Sequence, residues 1–379
     1  MSPYGTPGTR FSVLVLSLLL ALALSSCTQS APAVEQGWSA PVVDAGSVFI
    51  GSRVGKFFKI SAADVSEAQP LNLASKTLVP QWQYPVGGDQ KGVSLGAIYG
   101  RPEVTKNTVY IAINRVEKGV AKAGQVSALD KETGVERWSY TTEGRVFGSP
   151  VLAGTKLYIG DDSGFVYALD ATGGALVWKE HVASKRFWTT PTIDEKAATI
   201  YVGSMDQNLY ALDQATGKVK WTFAAKGAIT SRPLVIGNGV YVGAFDRNFY
   251  RIDAATGKQV WVHAGDGWFW NDAVASADGA YVYVGSLGKT FYALEAATGN
   301  ARWTFNTGSA VRAAPVLLGN LVYVVAESGQ IYVLDAGTGE QRRSAPVLGA
   351  QALATPAWSG GFLFVHDMKE SLHKIQAPA

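Results

Sequence analysis

The sequence predicts an all-β fold, an eight-bladed β-propeller of four-stranded antiparallel blades, and three observations lead to it. A phrase close to Tyr-Ala-Leu-Asp-x-x-Thr-Gly-x-x-x-Trp recurs through the chain. Its acidic anchors, Asp130, Asp170, Asp213, Asp253, Glu295 and Asp335, stand 40 to 43 residues apart, which is the length of one four-stranded blade. Between anchors lie short segments rich in β-branched and aromatic residues, separated by Gly, Asn and Asp turn signals. No stretch beyond the N-terminal leader keeps a 3.6-residue apolar period, and the short, even loops argue against an alternating βαβ fold. One such repeat cannot bury both of its faces, so the copies must stack on one another.

Residues 228–263 show the unit. Pro233 to Ile236 is a short apolar run, and Gly237-Asn238-Gly239 can supply the positive φ angles of a tight hairpin. Val240 to Gly243 follows, then a polar turn at Phe245 to Asn248. Phe249 to Asp253 alternates, Thr256-Gly257 reverses the chain, and Lys258 to Val262 forms the fourth strand. Eight such units fit between residues 37 and 379. The first is degenerate, with Val48 to Gly51 and Phe57 to Ile60, then an insertion before Trp82. The second runs from Ile98 to Tyr140. The eighth stops at Leu372 to Gln376 without an outer strand, an open edge that a ring must cover. The segment before Trp38, around Ala33 to Gln36, is the expected closing strand. Irregular insertions gather in the first two blades: Ala62 to Pro80, Val86 to Gly96, and a long hairpin from Arg115 to Gly124 carrying Lys118 and Lys122. Such departures serve either partner contact or neutral decoration.

Residues 1–26 form a leader, with Arg10 before an apolar run from Phe11 to Leu24 that is too short to span a bilayer comfortably. It ends in Leu24-Ser25-Ser26-Cys27, which resembles the bacterial lipobox. Cys27 is the only cysteine in the chain, so it is the expected lipidation site, with residues 27–36 as a tether. One cysteine also excludes an internal disulfide. A net charge of +3, dispersed along the chain, gives no footprint for nucleic acid.

The repeated residues are expected to be structural. A chemical site needs one special constellation, whereas these residues serve every blade. Each Asp can accept backbone N–H bonds and hold its turn. Trp138, Trp178, Trp221, Trp261 and Trp303 follow their acidic anchors by eight residues, where an indole can pack between blades. Arg343 breaks the series. The four histidines, His181, His263, His366 and His373, lack metal-ligand spacing, no nucleophile motif is present, and no metal site is expected.

Function is expected where the repeats differ. Three positions before the residue that opens each first strand lie Trp38, Tyr99, Phe147, Trp188, Thr230, Trp270, Arg312 and Leu353. These should ring one mouth of the central channel. With Arg101, Arg186, Arg232 and Arg312 nearby, the aromatics either plug the channel or wall a cationic funnel for a planar anion or an extended peptide.

The phrase Ala211-Leu212-Asp213-Gln214-Ala215-Thr216-Gly217-Lys218-Val219-Lys220-Trp221 resembles the tryptophan-docking motif of the PQQ-type eight-bladed propeller family, and the resemblance runs from about residue 37 to 377. It implies one of two kinds of protein. Quinoprotein dehydrogenases bind pyrroloquinoline quinone with a metal ion over the propeller and often carry a vicinal cysteine pair. BamB-like lipoproteins use the same propeller as a non-catalytic scaffold in outer-membrane β-barrel assembly. The lipobox and the single cysteine place the chain nearer the second, which implies a lipid-anchored, monomeric scaffold binding an envelope protein or peptide, with no cofactor. Its place would be the periplasmic face of the outer membrane, or the outer face of the cytoplasmic membrane where only one membrane exists. The alternative is a small-ligand propeller or dehydrogenase relative, with pyrroloquinoline quinone as cofactor. For a metal of that kind only Asn271 and Asp272 are evident ligands.

Overall fold

The computed structural model describes residues 39–53, 55–85, 94–117, 120–344 and 347–377. Among them eight antiparallel sheets follow one another as the blades of a propeller. The fifth blade shows how the repeat becomes a sheet. Leu234–Ile236, Gly239–Gly243, Asn248–Asp253 and Gln259–Ala264 pair in chain order, with Val235 opposite Val240, Val242 opposite Tyr250 and Arg251 opposite Trp261. Gly237, at φ +57°, makes the first hairpin without steric cost. The two middle strands are sealed from water on both faces, as Val240, Val242, Phe249 and Ile252 show. A blade is therefore stable only between two others.

What joins the blades is the indole. Trp82, Trp138, Trp178, Trp221, Trp261 and Trp303 each donate Nε1–H to one carbonyl of the following blade. The acceptors are Lys131, Ala171, Gln214, Ala254, Ala296 and Ala336, at 3.0 to 3.3 Å. Each acceptor is the residue directly after that blade's acidic anchor. The same carbonyl takes a second bond from a tyrosine hydroxyl in five junctions, from Tyr110, Tyr158, Tyr201, Tyr241 and Tyr283. The ring of each indole lies on the glycine that ends the next blade's turn, a glycine preceded by Thr in every case but Gly174, which follows Gly173. A methyl group on Gly257 would come within 2.7 Å of Trp221, and one on Gly174 within 2.5 Å of Trp138. These glycines also hold φ near +70°, which an L side chain resists.

The acidic anchor builds the platform on which the indole rests. Asp213 Oδ1 accepts the N–H of Thr216 at 2.9 Å, that of Ala215 at 3.1 Å and the Thr216 hydroxyl at 2.8 Å. Asp130, Asp170, Asp253 and Asp335 cap their turns the same way, and Glu295 reaches the Thr298 hydroxyl. The seventh junction has no indole. Arg343 faces Val333 in the register where Trp303 faces Ala293, and it is exposed. Apolar packing of Tyr323, Val325, Ile331, Leu348, Leu363 and Val365 joins blades seven and eight instead.

The ring shuts with Val42–Asp44 beside Ala357–Ser359. The outer place of blade eight, expected for residues 33–36, is taken by Leu71–Asn72, which pairs with Ser371 and Leu372. This strand comes from the 62–80 insertion, and Leu71, Val65 and Leu73 pack with Phe364 and Leu372 across the seam. Burial of that apolar surface selects it for the edge. Residues 33–36, with Cys27 and Trp38, lie outside the described residues. The second blade gains a fifth strand, Ser94–Leu95, against Arg115 and Val116 of the long hairpin. Polar bonds finish the closure: Arg53 Nη1 donates to Met368 O at 2.7 Å, and buried His366 sits 3.1 Å from Ser39 O through Nδ1.

Replacing Trp221 by Ala is expected to cost about 3–5 kcal/mol in denaturant unfolding, since it removes a docked ring and one bond of Ala254 O. The seam carries a pH dependence of its own. Burial holds His366 below the usual imidazole value, with Asp367, Glu370, Arg53 and His373 as its charged or titratable neighbours. A depressed histidine binds fewer protons folded than unfolded. Its contribution is complete above pH of about 6.5 and is lost as pH falls below that. Burial raises the Glu370 carboxyl, which acts in the opposite sense. The melting temperature should therefore fall on acidification through this range, and fall less in His366→Gln, as scanning calorimetry would record.

Candidate functional site at the channel mouth

Each first strand begins beside the central channel, so the residue before it points at its neighbours from the other blades. A cavity of about 380 Å³ occupies that mouth. Tyr99, Phe147, Trp188, Thr230, Trp270, Arg312 and Leu353, one from each described blade start, all line it, together with Arg101, Arg232 and Asn271. Trp38, expected in the same ring, lies outside the described residues.

The aromatics touch one another in a continuous ribbon. Tyr99 meets Phe147 at 5.0 Å between ring centres, Phe147 stacks on Trp188 at 4.8 Å, and Trp188 meets Trp270 edge-on at 5.9 Å. Thr230 is small, which lets Trp270 of blade six reach Trp188 of blade four. The ribbon then leaves the channel: Trp270 stacks on Phe245 at 5.2 Å, and Phe245 on Trp268 at 4.6 Å with planes only 10° apart. Three arginines lie over it, Arg145 on Phe147, Arg186 on Trp188 and Arg312 on Trp270. Arg312 is held by Glu327 at 2.9 Å. Tyr99 and Phe147 are buried, whereas Trp268 is 47 % exposed.

Below the ribbon the chemistry changes. Arg101, Arg232 and Asp272 line both this cavity and a second space of about 830 Å³ that follows the first strands further along the channel. Asp272 accepts the backbone N–H of Arg232 at 2.7 Å, and Arg232 Nε donates to Thr192 Oγ1 at 3.1 Å. Burial raises the carboxyls of Asp272 and Glu103 and lowers Arg101, whose charge also feels Glu103 and Arg232. Both arginines still reach the water of the channel. Asn271 donates Nδ2–H to Ala313 O at 3.1 Å, but its Oδ1 and the Thr230 hydroxyl are buried without a partner.

The four histidines are placed apart, each on a local bond: His181 on Ser163 O, His263 on Gly299 O, His366 on Ser39 O and His373 on Asp367. Phe245, Trp268, Glu103 and the second space escaped the reading of the sequence. Phe245 and Trp268 sit in turns whose lengths repeat but whose residue types do not, although the run Trp268-Phe269-Trp270 is a signal that aromatic residues gather there.

Comparison with known proteins agrees with this architecture. The family model described as outer membrane protein assembly factor BamB matches residues 25–192, 163–268 and 264–377. The chain is 29% identical over 168 residues to outer membrane protein assembly factor BamB of Moranella endobia, covering 40% of this chain and 40% of that protein. It is 28% identical over 197 residues to quinohemoprotein alcohol dehydrogenase of Comamonas testosteroni, covering 47% of this chain and 24% of that enzyme. These alignments thus span well under two thirds of the relatives' own length. Among solved structures, BamB of Moraxella catarrhalis superposes with a TM-score of 0.67 at 19% identity, over 89% of this chain and 93% of that one, a likeness of fold.

Proposed function

From the premise that the chain belongs to the family of the outer membrane protein assembly factor BamB, we propose that it is a non-enzymatic scaffold that docks a protein partner at the cell envelope. It is held there by a lipid on Cys27. The observation that carries this reading is Trp268. An indole nearly half exposed, yet already ordered flat against Phe245, presents large apolar area with little conformational entropy left to lose. It stands on the loop face, where blade-to-blade connections differ and side chains are free to meet another molecule.

Two features support a scaffold over a redox enzyme. Phe147 and Trp188 stack on each other and Trp270 sets its ring edge-on to Trp188, so the residues present do not fit a flat quinone stacked in the mouth. Trp270 in turn stacks on Phe245 and carries the Arg312 guanidinium, so its ring is taken as well.

Cys27→Ala should move the protein from the membrane pellet to the soluble fraction on cell fractionation. Affinity purification of the full chain from solubilised envelopes should recover β-barrel assembly components, and Trp268→Ala should recover several-fold less of them at an unchanged melting temperature. Recovery of the bare propeller from both proteins would defeat the scaffold reading.

A further inference from the structure

The channel is lined by a second set of residues, separate from the exposed face of Trp268. Arg101 and Arg232 meet at its waist, and among the described residues neither guanidinium has a carboxylate within ion-pair distance. Arg101 makes no side-chain hydrogen bond there, and Arg232 makes one, to Thr192. The two cations lie in each other's field, with the half-buried Glu103 and Asp272 carboxyls nearby, and an anion bound between them would relieve their repulsion. Beside them two polar atoms lack a partner, Asn271 Oδ1 and the Thr230 hydroxyl, on residues 3% and 7% exposed. An unmade bond of this kind costs stability unless something fills it.

The two orphans differ in what they ask for. Asn271 Oδ1 can only accept, because its Nδ2 is fixed by Ala313 O. The fitting ligand head therefore carries a donor next to its anionic group. Beyond the waist the wall turns apolar, through Ile193, Leu234, Val235, Val274, Val316 and Leu317. The aromatic ribbon roofs the opposite side. A carboxylate with an adjacent N–H, continuing into an extended apolar chain, is the end of a polypeptide.

We propose that the channel captures the free C-terminal carboxylate of an extended apolar peptide. Arg101 and Arg232 take the carboxylate, Asn271 Oδ1 accepts the N–H of the terminal residue, and the preceding side chains lie along the first strands of blades four to seven. A space of about 380 Å³ suits one terminal residue under the roof, and backbone-led capture of a chain terminus is a recurrent mode of peptide recognition.

The test is calorimetric titration of the full-length protein with an N-acetylated tripeptide of apolar residues. The free-acid peptide should bind saturably, with Kd in the millimolar range or below. Its C-terminal amide should bind at least about ten-fold more weakly, and Arg101→Gln should weaken the free acid by about the same factor. Arg101→Gln should keep the wild-type melting temperature, since its guanidinium holds nothing in the fold. Thr230→Val, which removes one orphan without changing size, should bind no better than wild type. Equal binding of acid and amide, or no binding of the acid, would overturn the proposal. So would decanoate binding as tightly as the peptide, because a fatty acid anion offers the charge and the tail but no N–H.

Discussion

One contact repeated from blade to blade governs this molecule: an indole from one sheet lying on the Thr-Gly turn of the next, with its N–H on the carbonyl beside the acidic anchor. The four parts of the motif act as a unit across the junction. Asp shapes the turn, Thr closes it, Gly leaves a flat bare surface, and Trp from the neighbour covers that surface. The acidic residues serve the turns themselves. Their oxygens are spent on turn amides and hydroxyls.

That arrangement decides how much the sequence could reveal. Spacing and turn chemistry foretell blades two to seven, because every strand and reversal there is determined within forty residues. The mouth was legible for the same reason: Tyr99, Phe147, Trp188 and Trp270 occupy one repeating position, and a ring brings repeating positions together. The closure was not. Leu71–Asn72 is a two-residue strand chosen by apolar packing with Phe364 and Leu372, some three hundred residues away in sequence, and no local pattern announces it. Phe245 and Trp268 were missed because they occupy turn positions where the residue type changes from blade to blade. The orphaned oxygens of Thr230 and Asn271 are a property of packing alone.

A ring locked at its outer edge leaves its inner edge and loops free to differ. The contrast is visible within single blades. Blade six uses Trp303 to hold blade seven, while its connection from blade five sends Trp270 into the channel and Trp268 out to water. The scaffold reading and the channel reading both draw on this freedom, at two places on one aromatic ribbon. Arg343 marks where the outer lock lapses, and there the ring relies on apolar packing beside the seam.

The central claim, that ring and glycine form one coupled contact between sheets, is tested most directly by a double-mutant cycle at Trp261 and Gly299, where an added methyl would stand 2.7 Å from the indole. Stability is measured for Trp261→Ala, Gly299→Ala and the pair. The account predicts strong coupling, on the order of 1–3 kcal/mol, because the methyl clashes only while the indole is present. Effects that add to within about 0.5 kcal/mol would mean that the two do not meet in solution, and the account would fail.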